Sequence, residues 1–244
     1  MNASNKAVLV SFSGIDGAGK SSQIDHLKAT LEQHGLSVRV IAFWDQIATL
    51  KGLRESAGHS IFKGDKGVGS PSAPINRKDK NVRSLPMTLI RLFMYAFDAI
   101  SNRRVAKRAL HAGADLVIFD RYIYDELANL ELTNPLIRVY VRSLVWFVPR
   151  PDISFILDAD PAQARARKPE YPLDFLVFSR QSYLALSKIA GGMTVVPALP
   201  LDEVKQFVVG RIRGLMSPGR CPKSLETPPE RKATVPSDAV LTER

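Results

Sequence analysis

The stretch Ala7-Val8-Leu9-Val10-Ser11-Phe12-Ser13-Gly14-Ile15-Asp16-Gly17-Ala18-Gly19-Lys20-Ser21-Ser22 decides the fold class of this 244-residue chain. Ala7 to Phe12 is a short apolar run of the kind that forms a buried strand. Gly14 to Ser21 fits the pattern G-x-x-x-x-G-K-[ST]. Beyond it, Ile24, Leu27 and Leu31 recur at helical spacing, predicting an amphipathic helix from Lys20 to His34 that Gly35 ends. Glycines between a strand and a helix let successive N–H groups turn inward at the helix N-terminus, where the dipole favours anions. Gly14, Gly17, Ala18, Gly19, Lys20, Ser21 and Ser22 are therefore candidate phosphate-binding residues. Lys20 has the reach for β- and γ-phosphates, and the Ser21 hydroxyl suits Mg²⁺.

Further strands are expected at Ser37–Phe43, Leu116–Phe119, Ile153–Leu157 and Met193–Val196. Helical patterns cover Ile47–Ser60, Leu85–His111, Asp174–Ile189 and Leu201–Met216. Strand–helix alternation demands crossovers, so the fold class is α/β: a parallel sheet with helices on both faces. One folded domain is expected over residues 1–216. Within it, 63–83 reads as a flexible basic insertion, with six basic and two acidic residues and no aromatic. The segment 217–244 reads as a disordered tail, because five prolines and no aromatic leave little to bury. That tail is nearly charge-balanced, so the net charge of +10 belongs to the folded part and fits a protein that handles anions.

A single cysteine, Cys221, rules out an intrachain disulfide and any multi-cysteine metal site. Met1 to Lys6 is polar, and the apolar run after it is too short for a signal-peptide core. The longest apolar stretches, 85–100 and 136–148, are interrupted by charges. A cytoplasmic protein with no membrane partner is expected. Nucleic acid is not an expected partner, since the basic insertion has no aromatics to stack on bases.

Asp120 follows the apolar run Leu116-Val117-Ile118-Phe119 and so falls at the carboxyl edge of the sheet, where open α/β sheets bind ligands. It suits Mg²⁺ directly or through water, and the same strand end can also serve as a helix N-cap. The cluster Arg165-Ala166-Arg167-Lys168 falls in a segment, about 161–173, that reads as a mobile lid able to close over a transferring phosphoryl group. A solvated helix end explains the same charges.

Three groups of residues carry a family resemblance: Phe12 to Gln23 with Gly35-Leu36-Ser37-Val38; Gly113 to Asp120-Arg121-Tyr122; and Leu157-Asp158-Ala159-Asp160-Pro161 with Arg167. Over residues 6–215 the chain resembles the thymidylate kinases. That resemblance implies a P-loop fold with a five-stranded parallel sheet of order 2-3-1-4-5. It also implies transfer of the γ-phosphoryl of MgATP to a nucleoside monophosphate, thymidylate by family default. By motif position, Lys20 and Ser21 would hold ATP and Mg²⁺, and Asp16 would face the acceptor sugar. Asp120 and Arg121 would line the transfer point, with Arg121 on the acceptor phosphate; Tyr122 would be a substrate residue, and Arg167 would reach in from the lid. Pairing into a homodimer is implied by resemblance alone.

The acceptor side departs from the family pattern. Phe43-Trp44-Asp45-Gln46 stands where the family has an arginine-acid-proline-glycine turn. Asp98 is followed by Ala99 rather than by an arginine. Ile123-Tyr124-Asp125-Glu126 replaces small residues. Asp45 opens an alternative, a kinase acting on a hydroxyl with Asp45 as its base, as an acid at this strand end also resembles the deoxynucleoside kinases. It is equally an N-cap for a helix from Ile47. Trp44 either stacks on a base or packs in the core. A further alternative is a nucleotide-binding module without an acceptor.

Overall fold

The computed structural model describes residues 7–46 and 85–216. The expected helix 47–60, the basic insertion 63–83 and the tail 217–244 lie outside the described residues. Five short runs form the sheet: β1 (Val8–Ser13), β2 (Val38–Ala42), β3 (Leu116–Asp120), β4 (Ile153–Leu157) and β5 (Met193–Val196). Their order is β2-β3-β1-β4-β5 and every pairing is parallel. The order expected from the resemblance is thus the order found.

The central strands are apolar throughout because both of their faces are covered. Leu9, Val117, Phe119 and Ile156 point into one core. Val10, Phe12, Leu116, Ile118, Phe155 and Leu157 point into the other. The first core is closed by α3 (Leu85–Leu110), α4 (Ile123–Leu127), α5 (Pro135–Phe147) and α7 (Leu173–Ala190). The second is closed by α1 (Lys20–Gln33) and α8 (Leu201–Arg213). Phe12 and Phe155 are register partners on β1 and β4, and their rings stack with centroids 5.1 Å apart.

Helix ends follow their local chemistry. Gly35, at φ 80°, donates its N–H to Glu32 O, and Leu36 N–H donates to Leu31 O. This is a Schellman ending, and Leu36 packs with Leu31 in the second core. Asn134 accepts from Leu136 N–H ahead of Pro135 at the start of α5. Asp160 accepts from Gln163 N–H ahead of Pro161 at the start of α6 (Pro161–Arg167).

Some boundaries differ from expectation. Phe43 is not the end of β2 but the start of a single helical turn, α2 (Phe43–Gln46), with its ring fully buried. Core burial of that ring outweighs its strand propensity. Helix α8 stops at Arg213, just before Gly214, and Met216 folds back into the second core. The short helices α4, α5 and α6 were not resolved individually from periodicity. No helix among the described residues is long and apolar enough to cross a membrane.

Because strands pair in parallel, their carboxyl ends share one edge. Phe12 and Ala42 both stand opposite Asp120. That register delivers the loop after β1, the residues after β3 and the turn after β2 to the same place. Replacing Phe155 by alanine removes a fully buried ring from between β1 and β4. We expect a loss of about 3–5 kcal/mol in unfolding free energy, read as a lower denaturant midpoint. A change below about 1 kcal/mol would contradict this packing.

Candidate functional site

The loop from Gly14 to Gly19 leaves β1 and enters α1 with three glycines at positive φ: Gly14 at 139°, Gly17 at 81° and Gly19 at 90°. Two of them are also required by close approach. A Cβ on Gly14 would stand 2.7 Å from Leu157 O at the end of β4. A Cβ on Gly17 would collide with the Ala164 carbonyl on α6. The loop is thereby pressed backbone to backbone between β4 and α6. At the start of α1, Gly19 supplies no capping side chain, and the first turn carries no acid. Its N–H groups are left for an anion.

Lys20 lies beneath this loop. Its ammonium donates to Gly14 O at 2.8 Å and Ile15 O at 2.9 Å, and lies 3.9 Å from Asp16. Burial, reinforced by the Arg121 charge, lowers its pKa from 10.5 to about 8 against the pull of Asp16, Asp125 and Asp120. Ser21 and Ser22 are exposed on the first turn of α1.

The end of β3 supplies the next group. Arg121 holds φ at 69°, the only positive value on a non-glycine residue among the described residues. That conformation costs about 1–2 kcal/mol and is held by Arg121 N–H donating to Phe12 O at 3.0 Å. The turn aims the guanidinium back over the loop. One of its amino groups donates to Asp16 and the other to Asp125, the latter at 3.2 Å. Burial opposes the Arg121 charge, but Asp125 foremost, with Asp16 and Asp120, raises its pKa above the ordinary arginine value. Burial likewise works against Asp16 ionising, yet Arg121, Lys20 and Lys168 hold its carboxyl below the usual range. Asp120 goes the other way: burial lifts it, Asp125 and Asp16 add to the lift, and Arg121 and Lys20 offset it only in part.

Two cavities flank the loop. One, narrow, is lined by Gly14, Asp16, Trp44, Arg121, Asp125 and Phe175, among others. The other, wider, is lined by Ala18, Gly19, Gln23, Asp158, Arg167 and Pro197, among others. The loop thus presents its first half to one cavity and its second half to the other. Of the sequence-predicted residues, Gly14, Asp16 and Arg121 meet in the first cavity, and Ala18, Gly19 and Arg167 in the second. Asp45 is exposed on α2 and is not among the lining residues, whereas its neighbour Trp44 is. Trp44 packs edge-on against Phe43, so it serves the core and the cavity wall together. Tyr122 does not reach the cavity. Its ring is fully buried, and its hydroxyl donates to Pro149 O at 2.5 Å.

Sequence reasoning missed Asp125, Tyr183 and Arg180. Asp125 and Tyr183 are buried in the wall of the first cavity. Arg180 on α7 grips Asp158 with both arms of its guanidinium, fastening α7 to the end of β4 beside the second cavity. Asp125 and Asp158 both lay inside motifs singled out above. Tyr183 and Arg180 lie on a helix where spacing signals only burial, so nothing in the pattern pointed to them.

No group of three or more metal-ligating side chains occurs among the described residues. A divalent ion here would take most of its ligands from phosphate and water, as Mg²⁺ does at phosphoryl-transfer sites. The strand-end carboxyl of Asp120 and the exposed hydroxyl of Ser21 are oxygen donors of the kind that mode uses.

The depressed Lys20 pKa has a sign that can be tested. A triphosphate favours the ammonium form, which is already populated below about pH 8. Above that, each binding event must take up a proton. ATP affinity should hold below about pH 8 and then weaken by up to about tenfold per pH unit as pH climbs. Titration calorimetry across this range checks it, and an affinity unchanged at high pH would contradict it.

No family model matches the chain. A curated relative from Methanosphaera stadtmanae, described as a probable thymidylate kinase, is 26% identical over 197 residues, covering 79% of this chain and 90% of the relative. The thymidylate kinase of Bifidobacterium longum is 28% identical over 190 residues, covering 74% and 84%. Among solved structures, thymidylate kinase from Candida albicans superposes with a TM-score of 0.56 at 18% identity, covering 86% of this chain and 92% of that one. The structural likeness establishes the P-loop fold with its five-stranded sheet.

Proposed function

From its kinship in sequence and fold with the thymidylate kinases, we propose that this chain is an ATP-dependent phosphotransferase that moves the γ-phosphoryl group to a nucleoside monophosphate, thymidylate first among them. The observation that carries this reading is the placement of two cavities against opposite halves of one phosphate loop. Two ligands seated there would bring their phosphates together at Gly14–Lys20.

ATP fits the second cavity, with its triphosphate in the loop and on the first turn of α1. Lys20 exchanges the carbonyls of Gly14 and Ile15 for phosphate oxygens, trading neutral acceptors for charged ones. Mg²⁺, held by Ser21 and Asp120, would supply charge neutralisation on the phosphates. Arg167, lining that cavity from α6, adds a cation beside the donor. The acceptor is assigned to the mouth of the first cavity, with its phosphate at Arg121 and its base toward Trp44 and Phe175. Phosphoryl transfer asks for in-line positioning and charge stabilisation rather than covalent help, and these cations supply both. The segment 161–173 serves as the lid, since α6 already touches the loop at Gly17.

The first test is a panel of nucleosides, nucleoside monophosphates and phosphosugars, each incubated with MgATP and scored for ADP. ADP release is expected with thymidylate, and Lys20→Ala should lower it by about 100-fold or more. Release with nucleosides alone would favour hydroxyl phosphorylation, for which Asp45 remains the proposed base. Release with no acceptor in the panel would contradict both kinase readings.

The same reading includes a homodimer. Leu89, Phe93 and Phe97 recur every four residues along α3 and are exposed, and the two phenylalanine rings touch at 4.7 Å. Such an apolar stripe suits a second copy of the chain. Sedimentation should give a dimer that Phe93→Glu dissociates. A wild-type monomer at all concentrations would contradict it.

A further inference from the structure

Asp125 stands where the resemblance predicts a small residue, and the function above gives it no task. Its carboxylate is almost wholly buried, with 2% of the side chain exposed. A charge in that position is costly unless fully paired. Asp125 is fully paired. One oxygen accepts from Ser13 Oγ at 2.7 Å and Tyr122 N–H at 3.1 Å. The other accepts from the Tyr183 hydroxyl at 2.7 Å and from Arg121 at 3.2 Å. Burial and the Asp125 charge raise the Tyr183 pKa far above 10, so its hydroxyl keeps the proton it donates. A carboxylate offers about four lone-pair sites, and all are taken, which leaves none to accept a proton from substrate. Asp125 is therefore not a base.

The donors come from separate places: the end of β1, the β3–α4 turn and the middle of α7. Asp125 ties these together around one guanidinium. The two carboxylates on Arg121 are not equivalent. Asp16 and Arg121 keep 21% and 19% of their side chains exposed, while Asp125, in the cavity wall, keeps 2%. An incoming anion can replace Asp16 on the open side without touching the closed one.

We propose that Asp125 is the positioning residue for Arg121: it holds one arm of the guanidinium permanently, so that the other arm exchanges Asp16 for the phosphate of the acceptor. This rests on the phosphotransferase reading and deepens it. Acceptor binding then depends on Asp125 far more than donor binding does.

The experiment compares Asp125→Asn and Asp125→Glu with the wild-type chain, measuring KM for thymidylate and for ATP separately. Asp125→Asn should raise the acceptor KM roughly tenfold or more while the ATP KM stays within about twofold, and Asp125→Glu, which keeps the charge, should recover part of the loss. An unchanged acceptor KM, or a parallel rise in both constants, overturns the proposal. If Asp125→Asn does not fold, Tyr183→Phe removes one of the four hydrogen bonds; it should raise the acceptor KM alone, and no rise overturns the proposal. A wild-type chain inactive with every acceptor defeats the phosphotransferase reading instead. A crystal structure of Asp125→Asn then decides: a displaced Arg121 guanidinium supports the positioning role, and an unmoved one overturns it.

Discussion

The guanidinium of Arg121 is shared between Asp16, inside the phosphate loop, and Asp125, inside the helical layer. That one group fastens the loop after β1 to the helical layer. It is delivered by a strained backbone at the end of β3, anchored on Phe12 at the end of β1. The parallel register sets Phe12 opposite Asp120, so the guanidinium can reach the loop that β1 feeds. Without the shared strand edge, the two carboxylates and the arginine would have no common point. The strain is a local cost that the ion pairs on both sides offset.

The loop itself is constrained from the other side. Gly14 and Gly17 leave no room for a Cβ because β4 and α6 crowd the backbone. Arg180 and Asp158 add a two-armed clamp between α7 and the end of β4. The second cavity is thus framed by backbone contact and a paired charge, and the first by a buried charge network. A buried carboxylate that is fully paired in this way orients its arginine without adding a free negative charge to the anion's path.

Much of this was legible in the sequence, for physical reasons. Strands buried on both faces must be continuous apolar runs, so β1, β3 and β4 showed plainly. A phosphate loop needs glycine at positive φ and a lysine at a helix start, so Gly14 to Ser21 announced itself. Gly35 marked a helix end that the structure closes with Leu36 N–H on Leu31 O. What did not show was pairing across elements. Asp125 registered only as a departure from small residues, because its four donors come from positions as far apart as Ser13 and Tyr183. Phe43 carried strand propensity, yet its ring is needed in the core, and the chain turns helical to place it. Trp44 packs against the first core and also lines the first cavity.

The central proposal for this chain is that a phosphoryl group passes between two ligands across this loop. The most direct measurement follows the label from γ-labelled ATP incubated with magnesium, thymidylate and the intact chain. Label recovered in thymidine diphosphate is the predicted result. Label found only in inorganic phosphate, or left on ATP, would contradict it.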